Sequence, residues 1–167
     1  FPQGMCTGVV GLPGMGKTTL MNCIAGKVPV ESGSIIWYEA GAPPRDLLNP
    51  PPEQRSGPGI GYVSQDRRIF SQLTIEENLH IAMRATGKPN PEAKNDVYDL
   101  FPALYALRRT RANTLSPDDQ YQLALANALV NRPHLLILDE PITGLDPSAI
   151  LEFYEIIRKL NRKEGVA

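Results

Sequence analysis

The sequence predicts an α/β fold, in which helices pack on a mostly parallel sheet that is interrupted by a helical insertion. Three observations predict it. The apolar pair Val9-Val10 passes through the glycine-rich turn 11–16 into Leu20-Met21-Asn22-Cys23-Ile24-Ala25, which is the order strand, turn, helix. Far downstream, Leu135-Leu136-Ile137-Leu138 is a fully apolar run of strand length, the pattern of a central parallel strand covered on both faces. Between them three helix starts follow one another, at Thr74, Asn90 and Ser116.

In chain order, Phe1-Pro2-Gln3-Gly4 runs straight into a strand from Met5 to Val10, an abrupt start that predicts a missing segment upstream. After the first helix Gly26 is placed as a C-cap and Pro29 prevents continuation, and Ser34-Ile35-Ile36-Trp37-Tyr38 reads as a strand after a turn at Gly33. Residues 41–59 carry Pro43-Pro44, Pro50-Pro51-Pro52 and Gly57-Pro58-Gly59. They read as a mobile loop with at most one short helix near Glu53-Gln54-Arg55. Ile60-Gly61-Tyr62-Val63 is a short strand that delivers Ser64-Gln65-Asp66 to its end.

Thr74-Ile75-Glu76-Glu77 is a capping box that starts a polar helix carrying Leu79 and Met83. Asn90-Pro91 offers an N-cap and first-turn proline to a helix with Ala93, Val97, Leu100 and Phe101 on one face. Ser116-Pro117-Asp118-Asp119 caps a long helix with Tyr121, Leu125, Ala128 and Leu129 on one face, stopped by Arg132-Pro133. Asp146-Pro147 opens a last helix that turns Ile150, Phe153, Ile157 and Leu160 inward and ends at Gly165.

Composition narrows the function. A chain of 167 residues defaults to one domain, and a net charge of −1 without a long basic run gives no electrostatic case for nucleic acid. No apolar stretch approaches the ~20 residues of a membrane span, so direct membrane insertion is not expected and contact with a membrane goes through a partner protein. No signal peptide is visible, and Cys6 and Cys23 cannot make a disulfide framework or a zinc site. Both read as small buried apolar residues in a reducing cytoplasm.

Gly11-Leu12-Pro13-Gly14-Met15-Gly16-Lys17-Thr18-Thr19 fits G-x-x-x-x-G-K-[ST]. The glycines let successive N–H groups point at an anion, and the following helix adds the positive end of its dipole. Lys17 would reach the outer phosphates of a nucleoside triphosphate, and the Thr18 hydroxyl would be a ligand of bridging Mg²⁺. A ligand-free glycine turn or a dinucleotide fingerprint would need only the glycines, and Lys17-Thr18 argues against both. At the end of the downstream apolar strand, Asp139 would hold Mg²⁺ through water and Glu140 would orient and deprotonate an attacking water. Ligands of open α/β sheets collect at the carboxyl ends of strands, so the two motifs should meet there. Together they predict a P-loop NTPase core.

With Gln65, Leu115-Ser116, Asp139-Glu140-Pro141 and Gly144-Leu145-Asp146 in this order, nearly the whole chain resembles the nucleotide-binding subunits of ABC transporters. The resemblance implies that Gln65 touches Mg²⁺ and the attacking water while reporting to the membrane subunit. It further implies that Asp146 crosses a dimer interface and that Ser116 faces the nucleotide of the other subunit. A closer likeness, to the ATP-binding subunits of importers for branched-chain amino acids and urea, rests on Ile60-Gly61-Tyr62-Val63, Asp66-Arg67-Arg68-Ile69-Phe70, Leu73-Thr74-Ile75-Glu76-Glu77-Asn78-Leu79 and Leu100-Phe101-Pro102. Arg67 and Arg68 read equally as a solvated charged turn or as a coupling contact with a membrane subunit.

Three departures stand out. Pro117 and Asp118 occupy the places of the two glycines that follow Leu-Ser in the family signature, so only Leu115, Ser116 and Gln120 keep that pattern. The family's last strand, with a histidine at the γ-phosphate, would begin at Gly165-Val166-Ala167, and neither His80 nor His134 is placed to substitute. The aromatic that stacks on adenine would lie before Phe1.

The resemblance therefore implies a single, partial ABC-type ATP-binding domain over residues 1–167, with a helical subdomain over about 74–130 whose 74–111 part carries partner contacts. It implies ATP and Mg²⁺ as ligands, and transmembrane permease subunits and a second ATP-binding subunit, identical or not, as partners. The expected place is cytoplasmic, peripheral on the inner face of the cell membrane. The expected function is ATP hydrolysis driving import of branched-chain amino acids or a similar small polar solute. A catalytically weak nucleotide-binding subunit and a soluble ABC ATPase outside transport are the alternatives.

Overall fold

The computed structural model describes residues 5–38, 41–48, 59–85 and 92–164. In order the elements are α1 (Lys17–Ile24), β1 (Ile36–Trp37), β2 (Arg45–Asp46), β3 (Ile60–Val63), α2 (Ile75–Arg84), α3 (Ala93–Leu100), α4 (Pro102–Ala106), a 3₁₀ turn at Ala112–Thr114, α5 (Pro117–Leu129), β4 (Leu135–Leu138) and α6 (Pro147–Glu164).

β3 and β4 pair in parallel, Ile60 opposite Leu135 through Val63 opposite Leu138, and Asp139 N continues the ladder to Val63 O at 3.0 Å. This register brings Gln65 and Glu140, each two residues beyond its strand, to the same edge. Gly61 is required where β3 meets α5: a Cβ there would lie 2.7 Å from Ala128 O, too close for any side chain. β1 and β2 form a separate antiparallel pair.

The helix starts follow their sequence signals. Thr74 caps α2 in a complete capping box, its hydroxyl accepting from Glu77 N while Glu77 Oε2 accepts from Thr74 N. Ser116 caps α5 by accepting from Asp119 N at 3.1 Å. Gly26, at φ 73°, closes α1 with paired bonds from Gly26 N to Cys23 O and from Lys27 N to Asn22 O, the Schellman arrangement that only a residue at ease in the left-handed region completes without strain.

The core lies among the helices and β3, with Ile75, Leu79, Phe101, Leu104, Leu123 and Leu125 fully buried. α2 is therefore amphipathic rather than polar. Its Asn78 is buried too, and its amide accepts from Phe70 N and donates to Phe70 O and Thr74 O, which pins the preceding turn to the helix. α5 is buried on more than one side, since Leu123, Ala124 and Ala126 join the expected Tyr121, Leu125 and Leu129. On α6 Phe153, Ile156 and Leu160 form the buried stripe, with Ile150 and Ile157 half-buried at its margin.

Four expectations need correction. Residues 5–10 form no strand: Val10 is 93 % exposed, and among the described residues nothing pairs with them. As a consequence β4 has only β3 beside it among the described strands, and Leu135, Leu136 and Leu138 stay half-buried instead of covered on both faces. The cysteines are not buried either, Cys6 in this segment being exposed and Cys23 on α1 half-buried. The strand expected over 34–38 shrinks to Ile36–Trp37, because β2 offers only two residues to pair with. The helix near Glu53, the cap at Asn90-Pro91 and the stop at Gly165 lie outside the described residues.

Candidate functional site

The glycine-rich loop bends where its glycines allow it. Gly14 and Gly16 sit at φ 82° and 83°, and a Cβ on either would meet nothing within 4 Å, so the space above the loop is open. Met15 N closes the turn on Leu12 O. Lys17, the first residue of α1, folds its ammonium back onto Gly11 O at 2.8 Å and Leu12 O at 2.9 Å. An incoming phosphate would compete for this ammonium, replacing two neutral carbonyl acceptors with an anionic one. Thr19 continues α1 in the exposed first turn.

One turn of α1 reaches the end of β4. Thr18 Oγ1 donates to Asp139 Oδ1 at 3.1 Å, and Asp139 is 7 % exposed. Beside it, Gln65 Nε2 donates to Glu140 Oε2 at 3.1 Å, and Thr143 Oγ1 donates to the same oxygen at 3.3 Å. Glu140 adopts φ 49°, a conformation uncommon for a residue with a Cβ and concentrated at functional sites. Four of the expected residues, Thr18, Gln65, Asp139 and Glu140, thus come together in two hydrogen-bonded pairs from three separate segments.

The donors around Asp139 suit a hard cation. Thr18 and Asp139 bring a hydroxyl and a carboxylate together, and Gln65, bonded to the adjoining Glu140, carries an amide oxygen. Among the described residues no group of three or more His, Cys, Asp or Glu forms a cage. A site with one carboxylate, completed by substrate phosphates and water, matches the habit of Mg²⁺ rather than of zinc or calcium.

Ser116 and Asp146 each cap a helix start. Ser116 donates to Asp119 Oδ2 at 2.6 Å and caps α5. Asp146 caps α6, its Oδ1 accepting from Ser148 N, Ser148 Oγ and Ala149 N. These bonds, the Ser148 hydroxyl first, hold its carboxyl down at about 2. Asp118 meets it there: burial raises the Asp118 carboxyl above its ordinary value, and a hydrogen bond with Asp146 raises it further. Among the described residues no hydrogen bond joins Ser116 or Asp146 to the glycine-rich loop.

Sequence reasoning passed over several residues here. Tyr62 OH donates to Asn22 Oδ1 at 3.0 Å, with the Lys27 ammonium 3.7 Å over its ring, tying β3 to α1. Burial, and then the Asp139 charge, push the Tyr62 phenol up. Arg67 and Arg68 part company. Arg68 is a solvated charge, 82 % exposed and paired with Asp66 at 2.7 Å, whereas Arg67 turns inward to Thr143 O and the Tyr121 ring. The available signals were spacing alone: Asn22 lies on α1 four residues after Thr18, and Thr143 three after Glu140.

Comparison with known proteins agrees with this geometry. The sequence profile of the ABC transporter family matches residues 1–143. The chain is 39 % identical over 165 residues to the high-affinity branched-chain amino acid transport ATP-binding protein BraG of Pseudomonas aeruginosa, covering 98 % of this chain and 68 % of that protein. It is 37 % identical over 155 residues to the probable branched-chain amino acid transport ATP-binding protein LivF of Archaeoglobus fulgidus, covering 92 % and 64 %. The chain thus spans about two thirds of the length of these relatives. Among solved structures, the ADP conformation of MJ1267, an ATP-binding cassette of an ABC transporter, superposes with a TM-score of 0.80 at 24 % identity, over 98 % of this chain and 68 % of that one. At that identity the likeness speaks for the fold alone.

Proposed function

The chain belongs to the ABC transporter family, and from that premise we propose that it is the ATP-binding and ATP-hydrolysing part of an importer for branched-chain amino acids or a similar small polar solute. The observation that carries this reading is the meeting of the Thr18–Asp139 and Gln65–Glu140 pairs beside an open glycine-rich loop. The names of the two relatives supply the solute class. Residues 1–167 form one ATP-binding domain with its helical subdomain over about 74–130. It works as one of two ATP-binding subunits against transmembrane permease subunits, on the cytoplasmic side of the membrane. No helix among the described residues is long and apolar enough to cross a membrane.

In this mechanism the backbone of 11–16 and the α1 N-terminus receive the phosphates, with Lys17 as the point charge on the outer two and the Thr19 end of the loop extending the cradle. Thr18, Asp139 and Gln65 would hold Mg²⁺, which would supply positive charge against the charge that develops on the phosphates. Glu140 accepts the proton of the attacking water on Oε2, and Gln65 orients both partners. Ser116 and Asp146 act at the nucleotide of the second subunit.

Titration calorimetry with Mg-ATP tests the binding step. Lys17→Ala removes the cation of the loop and should cost one to two decades of affinity, a charge-assisted bond being worth ~1.5–3 kcal/mol. Unchanged affinity would sink the assignment. A second reading, a subunit that binds nucleotide and hydrolyses it poorly, is favoured by the Asp118 carboxylate at the start of α5. The steady-state Mg-ATPase rate separates the two.

A further inference from the structure

Gln65 and Glu140 are joined across a gap between two loops, and a second tie crosses the same gap. Two residues after Gln65, Arg67 donates from its guanidinium to Thr143 O, three residues after Glu140. Thr143 in turn donates from Oγ1 to Glu140 Oε2 at 3.3 Å and from its backbone N to Glu140 O at 3.2 Å. The contacts form a closed circuit: Gln65 to Glu140, Glu140 to Thr143, Thr143 to Arg67, and back along the chain to Gln65.

Arg67 is itself held from two sides. Its backbone stands at φ 47°, with its N–H bonded to Ser64 O at 2.9 Å, so the turn that carries Gln65 depends on the same residue. Its guanidinium lies 4.6 Å from the ring centroid of Tyr121, which is 3 % exposed and packs on Phe153 of α6. A planar cation on a buried aromatic face, with a carbonyl at its edge, is a fixed fork rather than a swinging surface charge.

From this geometry we infer that Arg67 is a positioning residue: it rivets the Gln65 turn to the 140–146 loop and to α5, and thereby sets the separation and orientation of Gln65 and Glu140. The inference rests on the reading of that pair as the hydrolytic groups. The Gln65–Glu140 bond must open for either group to take a water, and the Arg67–Thr143 tie keeps the two loops in place while it does. A rigid support of this kind acts mainly on the chemical step: it touches neither the phosphate loop nor the Thr18–Asp139 pair, and of the groups assigned to Mg²⁺ it steadies only Gln65, so kcat depends on it far more than nucleotide affinity does.

The test compares the full chain with Arg67→Ala, Arg67→Lys and Arg67→Gly by steady-state Mg-ATPase kinetics, Mg-ATP calorimetry and hydrogen exchange of the 142–146 amides. Arg67→Ala should lower kcat about tenfold while Mg-ATP affinity falls no more than about twofold, and should speed exchange over 142–146 by a factor similar to that in kcat. Arg67→Lys keeps a donor for Thr143 O and should recover part of both losses. Arg67→Gly relaxes the left-handed backbone, so a lower kcat without a lower melting temperature separates positioning from plain destabilisation. Unchanged exchange over 142–146 in Arg67→Ala, or a fall in affinity that parallels kcat, overturns the inference. A parent that binds no ATP would defeat the functional reading instead, while the exchange comparison would still show whether Arg67 holds the two loops together.

Discussion

Thr18 Oγ1 donates to Asp139 Oδ1 at 3.1 Å across 121 residues of chain, joining the first turn of α1 to the end of β4. Asp139 is 7 % exposed, and a carboxylate so placed needs donors or a cation. Thr18→Ala removes the hydroxyl and should cost about 1–3 kcal/mol of stability through the donor lost to Asp139. It should also weaken ATP binding chiefly when Mg²⁺ is present. Asp139→Asn keeps the shape and removes the charge, so ATP affinity should become nearly independent of Mg²⁺. Calorimetry with Mg²⁺ and with EDTA checks both; a full Mg²⁺ dependence in Asp139→Asn would take Asp139 out of the metal site.

Glu140→Gln should bind Mg-ATP as the parent does and lose hydrolysis. The amide oxygen can still accept from Gln65 Nε2 and Thr143 Oγ1, so the loop keeps its ties. What disappears is the proton acceptor, a role worth about 10²–10⁴ in rate. Single-turnover hydrolysis measures it, and retained turnover would remove Glu140 from the mechanism.

The two acids at the starts of α5 and α6, Asp118 and Asp146, should respond to pH with opposite signs. The Asp146 carboxyl, held at about 2 by the Ser148 hydroxyl and the Ala149 and Ser148 N–H groups, contributes stability that is full above its ordinary value of 3.8 and lost as pH falls through about 2. Asp118 is raised by burial and by Asp146, and the Arg67 charge opposes this only in part. Its ionisation therefore costs stability, absent below 3.8 and complete once pH has risen through its folded value. In urea titrations from pH 7 to pH 2, Asp146→Ala should unfold earlier than the parent at neutral pH and converge with it in acid. Asp118→Asn should unfold later at neutral pH and likewise converge. Parallel curves for either variant across the whole range would refute the linkage.

How far the sequence disclosed this site depends on how local each signal is. The caps at Thr74 and Ser116 and the strand Ile60–Val63 were legible because each is decided within four or five residues. Asp139 was legible too, since an apolar strand delivers it. The segment 5–10 was misread because a strand exists only with a partner, and period and β-branching cannot say whether one is there. That single miss carried with it the burial of Leu135, Leu136 and Leu138 and of Cys6. Arg67 was invisible for the opposite reason. Its neighbour Arg68 has the same chemistry, and only the backbone at φ 47° turns one guanidinium inward to Tyr121 while the other stays in water.

The start of α5 poses the sharpest question. Ser116, Pro117 and Asp119 make a good helix start: a serine cap bonded to Asp119 N at 3.1 Å, a proline at the first position and an acid in the first turn, each worth ~0.3–1.5 kcal/mol, while the Asp118 charge beside Asp146 works against it. If this end of α5 faces a γ-phosphate held by a second subunit, as the family resemblance implies, the same residues are unfavourable. Pro117 offers no N–H, and Asp118 sets a carboxylate against an anion at a cost of about 1–4 kcal/mol, depending on the effective dielectric. Asp146 beside it adds a second negative charge to that face. The segment is therefore expected to keep its capping role and to have lost a phosphate role. A dimer of identical chains should then hydrolyse ATP poorly, while a partner with intact glycines rescues one of the two sites. Replacing Pro117→Gly and Asp118→Gly together should lower the melting temperature, because glycine in a helix costs roughly 0.5–1 kcal/mol per residue. The same double variant should raise both the steady-state ATPase rate and ATP-dependent dimerisation above the parent. The two effects run in opposite directions, so gain of activity cannot be a by-product of greater stability. A parent that already dimerises on ATP and hydrolyses it as fast as the double variant would show that this altered helix start still serves the nucleotide.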